Sequence, residues 1–112
     1  MLSFVMRIIA RRTLRAFVDK LAGRKDQRAV GGALDAWFAE VSRAAWRNSA
    51  DVRRLYATAS IVGADRIVFN IKGNDYRLVV SVEYEKAIVW IKWIGTHKEY
   101  DRINVSEVEH EE

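Results

Sequence analysis

Four side chains in the last third of the chain are of types that act on phosphate esters: Arg77, Lys92, His97 and Tyr100. An arginine and a lysine supply positive charge for an anion. An imidazole gives or takes a proton near neutrality, because its ordinary pKa is about 6.5. Tyr100 stands three residues beyond His97, so a helical turn begun at Thr96 sets both side chains on one side. The segment Gly95-Thr96-His97-Lys98-Glu99-Tyr100-Asp101 follows directly on a β-rich run, where a side chain can turn back over the strand it leaves. Two cations on neighbouring strands repel each other unless something shields them. A phosphate between Arg77 and Lys92 does so; so does solvent around two extended side chains, or pairing with Glu83 or Glu99. His97 is equally open by itself, since a lone histidine serves structure or faces solvent more often than it catalyses.

Other chemistries have less to stand on. There is no Ser-His-Asp arrangement, no glycine-rich phosphate loop and no His-Glu-x-x-His motif. The absence of cysteine excludes disulfides, thiolate metal sites and a cysteine nucleophile. His97 and His110 are the only imidazoles, so a zinc site would lean on carboxylates, and Glu99 with Asp101 is a thin set for a metal-dependent nuclease. The expectation is chemistry without metal or cofactor.

Hydrophobic spacing predicts the elements that position these residues. Met6-Arg7-Ile8-Ile9 reads as a short strand, and Leu14, Phe17, Val18 and Leu21 form the stripe of an amphipathic helix that Gly23 ends. A second helix is predicted over residues 27–46, with Leu34, Trp37, Phe38, Val41 and Ala45 on one face and its first turns weakened or bent by Gly31-Gly32. Ser49 or Asp51 is the predicted cap of a short third helix through Leu55 and Tyr56. From Arg66 the period changes to two, giving strands over 66–72, 76–84 and 87–94, with turns at Gly73-Asn74 and Glu85-Lys86. Neither turn has room for a crossover, so the three strands form an antiparallel meander.

Tight turns fix the register: Asn70 opposite Arg77, Phe69 opposite Leu78, Val80 opposite Ile91 and Val79 opposite Lys92. One face then carries Ile67, Phe69, Ile71, Tyr76, Leu78, Val80, Val82, Val89, Ile91 and Trp93, and the helices belong on it. The other carries Asn70, Lys72, Arg77, Ser81, Trp90 and Lys92, with Arg77 and Lys92 diagonally related. The fold class is α+β: a short N-terminal strand and two to three helices packed on one face of a mainly antiparallel sheet.

At 112 residues the chain suits one domain. Residues 6–105 are read as that domain, residues 1–5 as an N-terminal extension and residues 106–112 as an acidic tail. No apolar run approaches a membrane span, and the apolar start is followed by arginines rather than preceded by them, so a cytoplasmic protein with no membrane partner is expected. The net charge is +4, but residues 1–57 hold 12 Lys and Arg against 5 Asp and Glu, while residues 58–112 hold 7 against 10. Such a field suits a polyanion, and equally a solvated surface.

Val68-Phe69-Asn70-Ile71-Lys72-Gly73-Asn74-Asp75-Tyr76-Arg77-Leu78, then Trp90-Ile91-Lys92 and Gly95-Thr96-His97-Lys98-Glu99-Tyr100-Asp101, resemble the HigB toxin family. The likeness extends over about residues 6–105, with Trp37 and Trp46 in the preceding helices. It implies a RelE-like fold and a toxin of a type II toxin-antitoxin system that cleaves translated mRNA on the ribosome without metal and is silenced by a HigA-type helix-turn-helix antitoxin. Under that resemblance Arg77 and Lys92 stabilise the pentacoordinate phosphate, and His97 and Tyr100 share the acid and base roles. Asn70, Lys72, Asn74 and Lys98 position RNA, and Trp90 either stacks on a base or packs beneath a terminal helix. Two other classes compete: a non-catalytic RNA- or ribosome-binding module with the same basic face, and a protein-interaction partner for an acidic protein.

Overall fold

The computed structural model describes residues 5–109. His110, Leu2 and the other residues of 1–4 and 110–112 lie outside it. The elements run β1 (Arg7–Ile9), α1 (Arg11–Lys20), α2 (Gln27–Arg43), α3 (Ser49–Leu55), β2 (Ser60–Val62), β3 (Arg66–Ile71), β4 (Tyr76–Glu83), β5 (Ile88–Thr96) and α4 (His97–Tyr100). The strands form one sheet in the order β1-β5-β4-β3-β2. The β1–β5 pair is parallel and the other pairings are antiparallel. The α+β reading and the meander stand, and β2 joins as a further edge strand that its two-sided exposure and three-residue length hid from a pattern search.

The helical stripes face the sheet as their spacing requires. Leu14 and Leu21 of the first helical segment, Val30, Leu34, Trp37 and Val41 of α2, and Val52 of α3 enter one core with Ile67, Phe69, Ile71, Tyr76, Leu78, Val80, Val82, Val89 and Ile91. Phe69 is the centre of its aromatic part: Trp37 meets it edge-on at 5.4 Å, Tyr56 edge-on at 5.0 Å, and Trp46 stacks at 6.3 Å. Trp46 lies beyond the end of α2 rather than within it. The helix stops at Arg43 because Ala44 is extended and its carbonyl accepts from the Met6 amide, tying the chain to β1. Gly31-Gly32 leaves α2 unbroken, and a Cβ on Gly31 would sit 3.4 Å from Val18 Cγ1 of α1. The cap of α3 is Asn48, whose side chain accepts from the Asp51 amide, rather than Ser49 or Asp51.

The β3–β4 register is the one read from the turn, with Asn70 opposite Arg77 and Phe69 opposite Leu78. Lys72 and Gly73 take the left-handed backbone that the tight connection needs. The β4–β5 register begins as expected, Val80 opposite Ile91, and then shifts: Val79 faces Trp93, not Lys92. Lys92 is the extra residue of a β-bulge, and strict alternation cannot see one. Everything beyond it moves by one position, so Arg77 faces Gly95 and Leu78 faces Ile94. Ile94 therefore packs against the core in the place expected for Trp93, and Trp93 turns to the other face.

That other face is not uniformly open. Val68 and Val79 are buried on it, as are Ser81 and Arg66. The chain beyond α4 crosses this end: Arg66 Nη1 donates to the carbonyls of Val105 at 3.1 Å and Val108 at 2.6 Å, and Nη2 to the Glu109 carboxylate at 2.9 Å.

Candidate functional site

The open end of the outer face lies where β4 begins and β5 ends. Arg77 is fixed there by its own turn. Its Nη1 donates to the Asn74 carbonyl at 2.9 Å and the Tyr76 carbonyl at 3.2 Å, and its Nη2 to Asn74 Oδ1 at 2.7 Å. The same Nη2 lies 2.7 Å from His97 Nδ1. A guanidinium only donates, so Nδ1 accepts, and a neutral His97 carries its proton on Nε2. That nitrogen faces outward and stands 3.5 Å from Asp101 Oδ2. The guanidinium carbon lies 6.0 Å from the Tyr100 ring centre, and that ring meets Trp93, tilted, at 6.3 Å.

His97 and Tyr100 are presented by one turn of helix closed by a capping box. Thr96 Oγ1 accepts from the Glu99 amide at 3.1 Å, and the Glu99 carboxylate accepts from the Thr96 amide at 2.8 Å. The His97 amide donates to the Asp75 carbonyl at 2.9 Å, which ties this turn to the β3–β4 connection that holds Arg77. Gly95 makes the approach possible: a Cβ there would stand 2.5 Å from the Trp93 ring and 2.9 Å from Glu99 Oε1. The bulge, the glycine and the capping box thus act together to bring three side chains to one point.

Among the described residues every hydrogen-bond partner of Arg77 is a neutral acceptor, so its charge is held in place with no carboxylate bonded to it. Beside it lies an open depression of about 620 Å³ lined by Arg24, Asp26, Asn74, Asp75, Tyr76, Thr96, His97 and Lys98. Its inner wall is a polar triad. Tyr76 donates to Asp26 at 2.6 Å and Arg24 to the same carboxylate at 3.1 Å. The Tyr76 hydroxyl, then Arg24, hold the Asp26 carboxyl below the usual range, while burial raises the Tyr76 phenol so that it stays a donor. Lys72 pairs with Asp75 at 2.9 Å, which raises its pKa.

The structure therefore brings Arg77, Asn74, His97 and Tyr100 together, with Asn70 opposite Arg77 on β3 and Lys72 and Lys98 at the rim. Lys92 is not in the group. The bulge sets Arg77 opposite Gly95, which is three positions along β5 from Lys92 or about 10 Å of strand, and the Lys92 ammonium bonds Glu109 at 2.9 Å. Trp90 is half-buried, opposite Ser81 and beside Ile9 of β1. Sequence reasoning expected Glu99 to orient its neighbours or cap a turn, as it does, and missed the positioning roles of Thr96, Trp93 and Gly95. The Thr-x-x-Glu spacing of a capping box was there to be read; nothing in the spacing of Arg66 signalled its contact with residues 105–109.

Helices packed against a five-stranded, mostly antiparallel sheet are consistent with the RelE-like fold. Residues 31–103 match the HigB toxin family, the RelE-like toxic component of a toxin-antitoxin system, and the chain belongs to that family. No match was found among curated proteins. Membership implies an antitoxin as partner. Among the described residues no helix is long and apolar enough to cross a membrane, and no three His, Cys, Asp or Glu side chains are grouped to hold a metal ion.

Proposed function

We propose that this toxin is an endoribonuclease that cuts messenger RNA on the translating ribosome, in the cytoplasm, and that a HigA-type helix-turn-helix protein silences it. The observation that carries the reading is the Arg77–His97–Tyr100 cluster: a guanidinium bonded to no carboxylate among the described residues and in hydrogen-bond contact with an imidazole, both beside a phenol. In the proposed reaction the ribose 2′-oxygen gives up its proton and attacks the adjacent phosphorus. The bond from phosphorus to the 5′-oxygen breaks, and that oxygen takes a proton, leaving a cyclic phosphate and a 5′-hydroxyl. Arg77 stabilises the charge on the pentacoordinate phosphate. His97 and Tyr100 share the two proton transfers, one as base and the other as acid. Asn70, Lys72, Asn74 and Lys98 position the strand, and Asn74 also locks Arg77. Lys92 and Trp90 serve a neighbouring nucleotide.

The step is proposed to need no metal ion. What supports this is the use of the nearby carboxylates: Glu99 closes the capping box, and Asp101 stands beside His97 Nε2. The test is a translation extract in which the ends of ribosome-bound messages are mapped with wild type, R77A and H97A, with and without chelator. The reading expects cut messages from wild type alone, unaffected by chelation of added metal as long as the ribosomes remain intact. Equal cutting by both variants would refute the site, and bound but uncut RNA would identify a non-catalytic binding module.

A further inference from the structure

Arg66 is a charged residue on a central strand whose side chain is only 10% exposed. The toxin reaction proposed above does not use it. It lies opposite Ser81, which lies opposite Trp90, so these three share one row of the outer face. Its guanidinium and the Lys92 ammonium meet on one carboxylate, Glu109, at 2.9 Å each. These contacts hold the Glu109 carboxyl below its usual range, Lys92 first and Arg66 second. Glu109 itself is 60% exposed and belongs to no helix or strand. A built pair of cations is thus occupied by an anion carried on an irregular, mostly solvent-facing segment.

We propose that Arg66 and Lys92 form a second phosphate subsite for the RNA strand, and that Glu109 is its resident stand-in, displaced when RNA binds. The inference rests on the ribonuclease reading of the Arg77 end. Ser81 and Arg77 are four residues apart on β4, about 13 Å along the strand. That is too far for one phosphate, so the two ends engage different phosphodiesters of the same strand. Two cations converging within hydrogen-bond distance of one oxyanion reproduce what a phosphodiester requires. Trp90, in the same row as Arg66, offers a ring on which an adjoining base stacks. The bulge at Lys92 is what takes this lysine from the Arg77 end and assigns it to Arg66.

Binding of a 2′-O-methyl RNA oligonucleotide, which lacks the attacking hydroxyl, tests the subsite by fluorescence anisotropy at low and moderate salt. The variants are E109Q, E107Q and K92Q/E109Q, and cleavage by wild type in a translation extract is followed in parallel. E107Q makes the same change in net charge in the same segment. E109Q is expected to bind roughly threefold to tenfold more tightly than wild type, because the competing anion no longer holds the competent state closed. E107Q is expected to change affinity less than twofold, and K92Q/E109Q to lose the gain. If E109Q gains no more than E107Q, or if its gain survives loss of Lys92, the subsite is wrong; should wild type still cut messages, the ribonuclease reading survives alone. If wild type and E109Q both fail to bind the oligonucleotide and messages stay intact, both fall. Tight binding by E109Q without any cleavage keeps the subsite and removes the nuclease.

Discussion

The two ends of the outer sheet face each carry an arginine, held in opposite ways. At one end, among the described residues, Arg77 bonds only neutral acceptors, two carbonyls, an amide oxygen and an imidazole nitrogen, and is partly exposed beside an open depression. At the other, Arg66 and Lys92 share a carboxylate beneath the chain that follows α4. Neutral partners fix a guanidinium while leaving its field available to a developing negative charge. A carboxylate neutralises that field and turns the same cation into a fastener. Charge type alone therefore does not separate a reaction centre from a strap; the chemistry of the partners does.

Substitutions at the two ends should differ in kind as well as size. R77A is expected to lower the rate of message cleavage by roughly 10²–10³-fold, the usual loss when a preorganised donor to an oxyanion is removed. H97A should fall in a similar range, roughly 10²–10⁴-fold, for loss of proton transfer. K92Q should raise the toxin concentration needed for half-maximal cleavage and leave the saturated rate nearly intact. Equal damage to the saturated rate from K92Q and R77A would mean that the ends form one site, and the contrast would be lost.

The open end also depends on close packing around Gly95. G95A places a Cβ 2.5 Å from the Trp93 ring and 2.9 Å from Glu99 Oε1, so ring and capping box must move together. It should cost roughly 1–3 kcal/mol of stability by denaturant unfolding and reduce cleavage by more than that loss of folded protein explains. T96A removes only the cap of α4 and should cost about 1 kcal/mol, with amide exchange quickening at His97–Tyr100 and little change elsewhere. A uniform change in exchange across the sheet would show that this turn is not a separate positioning device.

Much of this was legible beforehand, and what was not shares a cause. Periodicity placed Leu14, Trp37, Phe69 and Leu78 in the core, and turn length set Asn70 opposite Arg77, because local spacing alone decides these features. Lys92 and Trp93 were misplaced because a bulge adds one residue to one strand for reasons that lie in tertiary packing, here the space over Gly95 and the ring of Tyr100. The Arg66–Glu109 contact joins residues 43 apart, and no pattern in either neighbourhood announces it. Acidic crowding at the end of the chain was visible; its meeting with Lys92 was not.

The smallest expected effect probes a brace of the open end that does not touch Arg77: Asp26, bonded by Tyr76 and Arg24, holds the start of β4. D26N removes the charge and leaves one oxygen acceptor where Tyr76 and Arg24 each had their own. The folded carboxyl titrates below its unfolded value of about 3.9, so its ionised form adds stability that is complete above that value and is lost as pH falls through the folded one. Wild type should therefore exceed D26N in stability at neutral pH, and the two unfolding curves should converge in acid below about pH 4. A gap that persists unchanged into strong acid would mean that shape rather than charge makes the brace. Cleavage by D26N at neutral pH should fall only slightly, since Arg77 and His97 are held by Asn74 and the Asp75 carbonyl rather than by Asp26.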